Sequence, residues 1–399
     1  MAVAGRTRVL IVDDSAVMRT LLRSVVATDP TLQVAGTAAD GASALTAIAL
    51  EHPDLVLLDV EMPVMDGLVT LRRLRERGHQ MPIIMCSSLT QRGARVTIEA
   101  LASGASDYVA KPSGQSGREQ AMRTLAQELI PKIHALTHAP DSAAAAIQPH
   151  RLPTFPAAPH TIPAPTPTPT PAPTPTSLLA LPAAQSLPSV VPSVVAIGVS
   201  TGGPAALDVL LPEFPSSFPL PVLVVQHMPE VFTRLFAERL AQRCRLHVRE
   251  ASEGAPVSQG VIYIARGNWH MVTLAAARPG APPTLHLNQD PPENHCRPSV
   301  DTLFRSVAKV YGNAVLAVVL TGMGCDGLAG ARIVRAQGGS VIAQDQATST
   351  VWGMPGAVTQ AGLAYKVLPL AAIVPEILRI AGCAPAVTPA PLTVARMAV

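Results

Sequence analysis

The sequence has 399 residues, of which 14% are charged and 3% aromatic, with a net charge of +3. That length exceeds one typical core and predicts two domains, while so weak a charge and so few rings leave no basis for gathering or stacking nucleic acid. The start MAVAGRTRVLIVDD meets acidic residues too early for a signal peptide, and no uninterrupted apolar run reaches the roughly 18 residues of a membrane helix. Five scattered cysteines without a C-x-x-C pair predict reduced thiols in a cytoplasmic protein and no structural zinc.

Short apolar runs open the chain: strands are predicted at 8–12, 32–36, 54–58, 82–86 and 107–110. Between and after them Val17, Leu21, Leu22, Val25 and Val26, and then Leu125, Leu129, Ile133 and Leu136, recur at helical spacing. Alternation of strand and helix predicts a doubly wound parallel sheet with right-handed crossovers. Ligands of such sheets bind at the carboxyl ends of the strands. At that edge the chain places Asp13 with Asp14, then Asp59, Ser87 with Ser88, and Lys111. Carboxylates converging there repel one another and suit a hard cation such as Mg²⁺. A lysine and a hydroxyl opposite suit a phosphoryl group, which an Asp59 oxygen is placed to attack. A single aspartate ending a strand is usually a turn former; four edges carrying this set in this order point to chemistry.

VLIVDDS, LLDVEMPVMDG and the ending YVAKP make residues 6–125 resemble a response-regulator receiver domain, flavodoxin-like with five βα units. The resemblance implies Asp59 as phosphoacceptor, Mg²⁺ held by Asp13, Asp14 and Asp59, phosphate sensing by Ser87 and Lys111, and an aromatic switch at Tyr108. It also implies a histidine kinase as phosphodonor. The last receiver helix and its lead-out are expected to reach about residue 138.

Proline dominates the next stretch, 139–192, with the alternation PAPTPTPTPAPTPT and only Asp141 and Arg151 charged. Such a segment buries too little apolar surface to offset the entropy of ordering it. It reads as a disordered, polyproline-II-like tether rising about 3.1 Å per residue. Residues 384–399 share its flavour and read as a loose tail.

Residues 193–383 predict a second α/β domain, doubly wound and mostly parallel. Its strands are expected at 194–199, 221–226, 261–264, 314–320 and 340–343, with helices at 204–211, 229–242, 299–311 and 326–337. HMVTLA and TLHLN read as a hairpin laid on an edge of that sheet. After the first strand comes AIGVSTGG, with Ser200 between glycines. A serine nucleophile needs a histidine base oriented by a carboxylate. His227 ends the next strand, in VLVVQHM, and parallel neighbours lie about 4.8 Å apart. His247 and His286 read as surface or packing residues, and His270 and His295 as loop residues that could line a pocket. The third member is Asp326 in VLTGMGCDGLAG, whose alternative role is to cap the helix that follows. Cys325 lacks a second positioned base and reads as a bystander. G-V-S-T-G fits a nucleophile elbow, but the order Ser, His, Asp excludes the α/β-hydrolase fold, and no phosphate-cradling glycine motif occurs.

AIGVSTGGP, VVQHMPEVFT, NHCRPSVDTLF and VLTGMGCDGLAG, in that order, resemble the catalytic domain of the chemotaxis protein-glutamate methylesterases. The resemblance implies Ser200 as nucleophile, His227 as base, Asp326 as its orienter, Thr201 and Met323 in the pocket, and no cofactor for the ester chemistry. It further implies phosphorylation-activated hydrolysis of glutamate methyl esters on methyl-accepting chemoreceptors, glutamine deamidation on the same receptors, and a receiver that covers the esterase mouth until phosphorylated. No nucleic acid partner and no direct membrane insertion are expected. A DNA-binding output would need a basic helix-turn-helix, which is missing here. A receiver-gated binding module without turnover is the stronger rival.

Overall fold

The computed structural model describes residues 5–112, 117–137 and 190–383. The first half runs β1 (Thr7–Val12), α1 (Ala16–Val26), β2 (Leu32–Ala38), α2 (Gly41–Glu51), β3 (Leu55–Asp59), α3 (Gly67–Glu76), β4 (Ile83–Ser87), α4 (Gln91–Ala102), β5 (Asp107–Ala110) and α5 (Arg118–Thr137). Its five strands are parallel in the order β2-β1-β3-β4-β5, the flavodoxin-like arrangement. Central strands such as β3 are buried on both faces, so they read as continuous apolar runs. The helices begin at side-chain caps: Ser15 accepts from Met18 N, Asp40 forms a capping box with Ser43, and Asp66 accepts from Val69 N.

The second half runs β6 (Val194–Val199), α6 (Gly203–Leu210), β7 (Val222–Gln226), α7 (Glu230–Ala241), β8 (His247–Glu250), β9 (Val261–Ile264), β10 (His270–Leu274) and β11 (Thr284–Asn288). It continues with α8 (Val300–Tyr311), β12 (Val315–Val319), α9 (Leu328–Ala336), β13 (Ser340–Gln344), α10 (Met354–Gln360), β14 (Lys366–Leu368) and α11 (Leu370–Ile380). Seven parallel strands form one sheet in the order β14-β13-β12-β6-β7-β9-β8. The chain moves from β6 to β7 on one side and later returns to place β12 on the other. Strand order therefore reverses at β6, where open α/β sheets bind ligands.

Two expectations need correction. The hairpin β10–β11 is a separate antiparallel pair, and it packs on α8 rather than on a sheet edge. Met271, Leu285 and Leu287 share a core with Leu303, Phe304 and Val307, and Thr273 N donates to Ser306 Oγ. The edge strands β8 and β14 and the helices α10 and α11 were not expected. β8 alternates exposed with half-buried residues and β14 spans three residues, so neither makes an apolar run. The tail 384–399 and all but residues 190–192 of the tether lie outside the described residues.

The two sheets pack through helices. α4 lies against α6 and α7, and Ile98, Leu101 and Tyr108 join Phe232, Leu235 and Phe236 in one apolar cluster. The Tyr108 ring stacks on Phe232 with centroids 4.7 Å apart and planes 18° from parallel.

Candidate active site

β6 holds the centre of the second sheet. Its register with β7 ends at Val199 opposite Gln226, so Ser200 and His227 take the next position, and His227 N donates to Val199 O at 3.2 Å. On the other flank Val319 pairs with Gly198, and Ser200 N donates to Thr321 O at 3.0 Å. Gln226 Nε2 donates to Ser200 O at 3.0 Å and Thr321 Oγ1 donates to Thr201 O at 2.9 Å. The serine turn is thus pinned from both neighbouring strands. Gly202 sits at φ 75°, and a Cβ there would meet Thr350 Oγ1 at 2.4 Å, so only glycine allows this turn. A Cβ on Gly322 would stand 2.8 Å from Ser200 Cβ.

His227 Nε2 donates to Asp326 Oδ2 at 2.8 Å. Asp326, 2% exposed, also accepts from Val300 N at 2.7 Å, Ser299 Oγ at 2.8 Å, and Asp301 N, Gly327 N and Asn294 Nδ2 at 3.0 Å. Its capping role is therefore real but displaced. It closes the first turn of α8, whose own cap residue Ser299 makes no capping bond, instead of the following helix α9. Burial opposes charge on both partners, yet their mutual hydrogen bond outweighs it. His227, helped by Cys296, is pushed up to about 9 and Asp326 is held at about 2.

With Nε2 committed, Nδ1 is the remaining ring nitrogen. It lies 3.5 Å from Cys296 Sγ, and Ser200 Oγ has no hydrogen-bond partner among the described residues. Catalytic bonds of this kind tighten when substrate arrives. The backbone N–H groups of Thr201, Gly202 and Met323 are likewise unpaired among the described residues; they border the N-terminus of α6 and the loop after β12. Thr201 is buried and Met323 half-buried.

Cys296 was missed by sequence reasoning, together with Asn294, Ser299 and Asp301; the only signal was their presence in ENHCRPSVD. Cys325 is exposed. His270 is buried and structural, its Nδ1 accepting from Ser299 N at 3.2 Å. His286 pairs at the surface with Glu253, and His247 and His295 are exposed.

At the carboxyl edge of the first sheet, Lys111 Nζ lies 2.8 Å from Asp13 Oδ2 and 2.7 Å from Asp59 Oδ2. Burial, with Asp13 adding to it, raises Asp59 to about 6 against the pull of Lys111. Oxygens of Asp13, Asp14 and Asp59 converge within 4.8 Å, an all-oxygen donor set that fits Mg²⁺. The Ser87 hydroxyl accepts from Thr97 Oγ1 at 2.7 Å and donates to Ser88 O. Tyr108 is buried under Phe232.

The CheB methylesterase family pattern matches residues 195–377, and that of the response regulator receiver domain matches residues 9–123. A protein-glutamate methylesterase/protein-glutamine glutaminase of Trichodesmium erythraeum is 45% identical over 93% of this chain and 98% of its own length. One from a Nocardioides species is 47% identical over 93% and 94%. The solved CheB methylesterase catalytic domain of Thermotoga maritima is 41% identical, covering 48% of this chain and 100% of its own, with a TM-score of 0.46. Likeness to the two curated relatives over nearly their whole length, with a receiver ahead of the esterase region, settles membership: this chain belongs to the protein-glutamate methylesterase/protein-glutamine glutaminase family.

Proposed function

We propose that this chain hydrolyses glutamate methyl esters on methyl-accepting chemoreceptors in the cytoplasm, releasing methanol, under control of phosphorylation at Asp59. The observation that carries the reading is the His227–Asp326 bond at 2.8 Å beside Ser200, where strand order reverses. Ser200 Oγ gives its proton to His227 Nδ1 in the fraction of molecules whose imidazole is neutral, a share that grows as pH climbs toward about 9, and bonds to the ester carbonyl carbon. The carbonyl oxygen takes the negative charge and is received by the Thr201 and Met323 N–H groups. His227 returns the proton to the departing methoxide, which leaves as methanol. A water then gives a proton to His227, attacks the acyl carbon, and Ser200 leaves with that proton as the glutamate carboxylate forms. An amide carbonyl meets the same donors, so receptor glutamines are deamidated by the same steps, releasing ammonia.

In the receiver, an Asp59 oxygen bonds to the phosphorus of a phosphohistidine on a chemotaxis histidine kinase as the N–P bond breaks and the kinase's histidine leaves. Asp13, Asp14 and Asp59 would hold Mg²⁺, which neutralises charge on the phosphoryl oxygens when bound. Lys111, now paired with Asp13 and Asp59, then pairs with the new phosphate, and the Ser87 hydroxyl turns from Ser88 O toward it.

Replacing Ser200 by Ala tests the assignment. Methanol release from methylated receptor is expected to vanish while the far-ultraviolet dichroism stays unchanged; retained turnover would refute Ser200 as nucleophile.

A further inference from the structure

We propose that His227 and Cys296 form an inhibitory site for a thiophilic divalent cation, Zn²⁺ above all. The site lies on the base nitrogen itself, with Asp326 as the outer partner that holds the ring. Zinc bonded to an imidazole nitrogen at about 2.0 Å and a thiolate at about 2.3 Å sets the tetrahedral N···S edge near about 3.5 Å. The His227 Nδ1 to Cys296 Sγ separation is 3.5 Å, so the spacing of the two ligand atoms already suits the metal. Ligand atoms of His227, Cys296 and Asp326 all lie within 4.8 Å of one another.

Metal-binding histidines characteristically donate their other N–H to a carboxylate, which fixes ring and tautomer. Here that bond already exists, His227 Nε2 to Asp326 Oδ2 at 2.8 Å. Five further hydrogen bonds keep Asp326 in place, so it stays an outer partner instead of swinging in. The Cys296 segment is equally fixed. Arg297 reaches Asn268 Oδ1 and the carbonyls of Gln289 and Asp290, and Ser299 is tied to His270 and Asp326. Cys296 and His227 are each half-buried, which leaves the remaining positions of a tetrahedron to water. Two protein ligands plus water describe a reversible site, not a structural one. Binding releases the Cys296 thiol proton to solvent and fills the only His227 lone pair that can take the Ser200 proton.

The inhibitory consequence rests on the esterase reading, whereas the metal site does not, so the test reads each separately. Full-length protein is titrated with Co²⁺ in excess Mg²⁺, which occupies the receiver carboxylates, in a Cys325→Ala background that removes the exposed thiol. A thiolate-to-cobalt charge-transfer band is expected and should vanish in Cys296→Ser. Methanol release should be inhibited by Zn²⁺, with half-inhibition moving to higher metal by on the order of tenfold or more in Cys296→Ser. X-ray absorption of the zinc-loaded Cys325→Ala protein should show one sulfur and one imidazole nitrogen, a readout that needs no Cys296 variant to fold. Absence of sulfur from the zinc shell, or a band that survives Cys296→Ser, would overturn the site. Equal zinc sensitivity with and without Cys296 would overturn its inhibitory role.

Discussion

Asp326→Asn separates the electrostatic role of this carboxylate from its role as a clasp. His227 rises from 6.5 to about 9 and Asp326 falls from 3.8 to about 2. At about 1.4 kcal/mol for each tenfold change, the pair contributes on the order of 2–4 kcal/mol. The two ends move unequally because burial works against charge on each while their other partners differ: Cys296 also raises His227, and Val300 and Asp301 N–H also lower Asp326. The histidine share is fully present below pH 6.5 and is lost as pH climbs through about 9. The aspartate share is present above pH 3.8 and is lost as pH falls through about 2.

An asparagine whose amide faces His227 must donate to Nε2, which forces the ring proton onto Nδ1, the nitrogen that has to accept from Ser200. Turnover should then fall by on the order of 10⁴, the size of such a tautomer change in serine triads. Unfolding in urea can be followed through Trp269 and Trp352, the two tryptophans, both in the second half. The variant should be less stable than the parent by about 2–4 kcal/mol at pH 6. That gap should narrow at pH 10, where the histidine share is lost while the aspartate share remains and the asparagine still caps α8. A gap equal at both pH values would show that Asp326 acts only as a clasp for α8, and would refute the charged pair.

Asp59→Asn should stabilise the receiver at pH 7.5. A carboxyl raised from 3.8 to about 6 destabilises the folded state once ionised, by on the order of 1–3 kcal/mol after the lost Lys111 pair is subtracted. Calorimetry should show that gain disappear below pH 4; a loss at pH 7.5 would mean that Lys111 dominates. Gly322→Ala drives a methyl against Ser200 Cβ and to 2.4 Å from Met354 Sδ. It should lower kcat and cost about 1–3 kcal/mol, measured by methanol release and urea unfolding; unchanged kcat would show that the serine turn tolerates displacement. Tyr108→Ala removes the ring stacked on Phe232, worth about 0.5–1.5 kcal/mol beyond its buried area. Unphosphorylated protein should then release methanol faster, whereas an unchanged basal rate would make the stack passive.

Strands that end in chemistry were the legible part of this sequence. β6 and β9 begin and end where their apolar runs do, and Ser200 and His227 follow directly on their strands, while Asp326 lies in the glycine loop after β12. What stayed hidden came from the chain outside those runs. ENHCRPSVD has no period to reveal that Asn294, Cys296 and Ser299 fold over His227 and Asp326. The cap role of Asp326 was assigned to the helix next in sequence because local spacing cannot show a helix start arriving from 26 residues upstream. β8 and β14 are short and half-exposed, so edge position left them without an apolar signature.

The same carboxylate thus fixes two things at once. Asp326 ends the loop after β12, anchors the start of α8 through Val300 and Asp301 N–H, and holds His227 on the far side of β6. α8 in turn carries the hairpin β10–β11 and borders the segment bearing Cys296. Pulling the acid away would therefore loosen the start of α8 as well as His227. Losing the side chain outright would disturb both at once, and the pH dependence of unfolding reports on the His227–Asp326 pair. Three residues after His227 the chain enters α7 at Glu230, and Phe232 in its first turn carries the ring of Tyr108. The stacked ring pair and His227 thus lie on one short stretch of backbone.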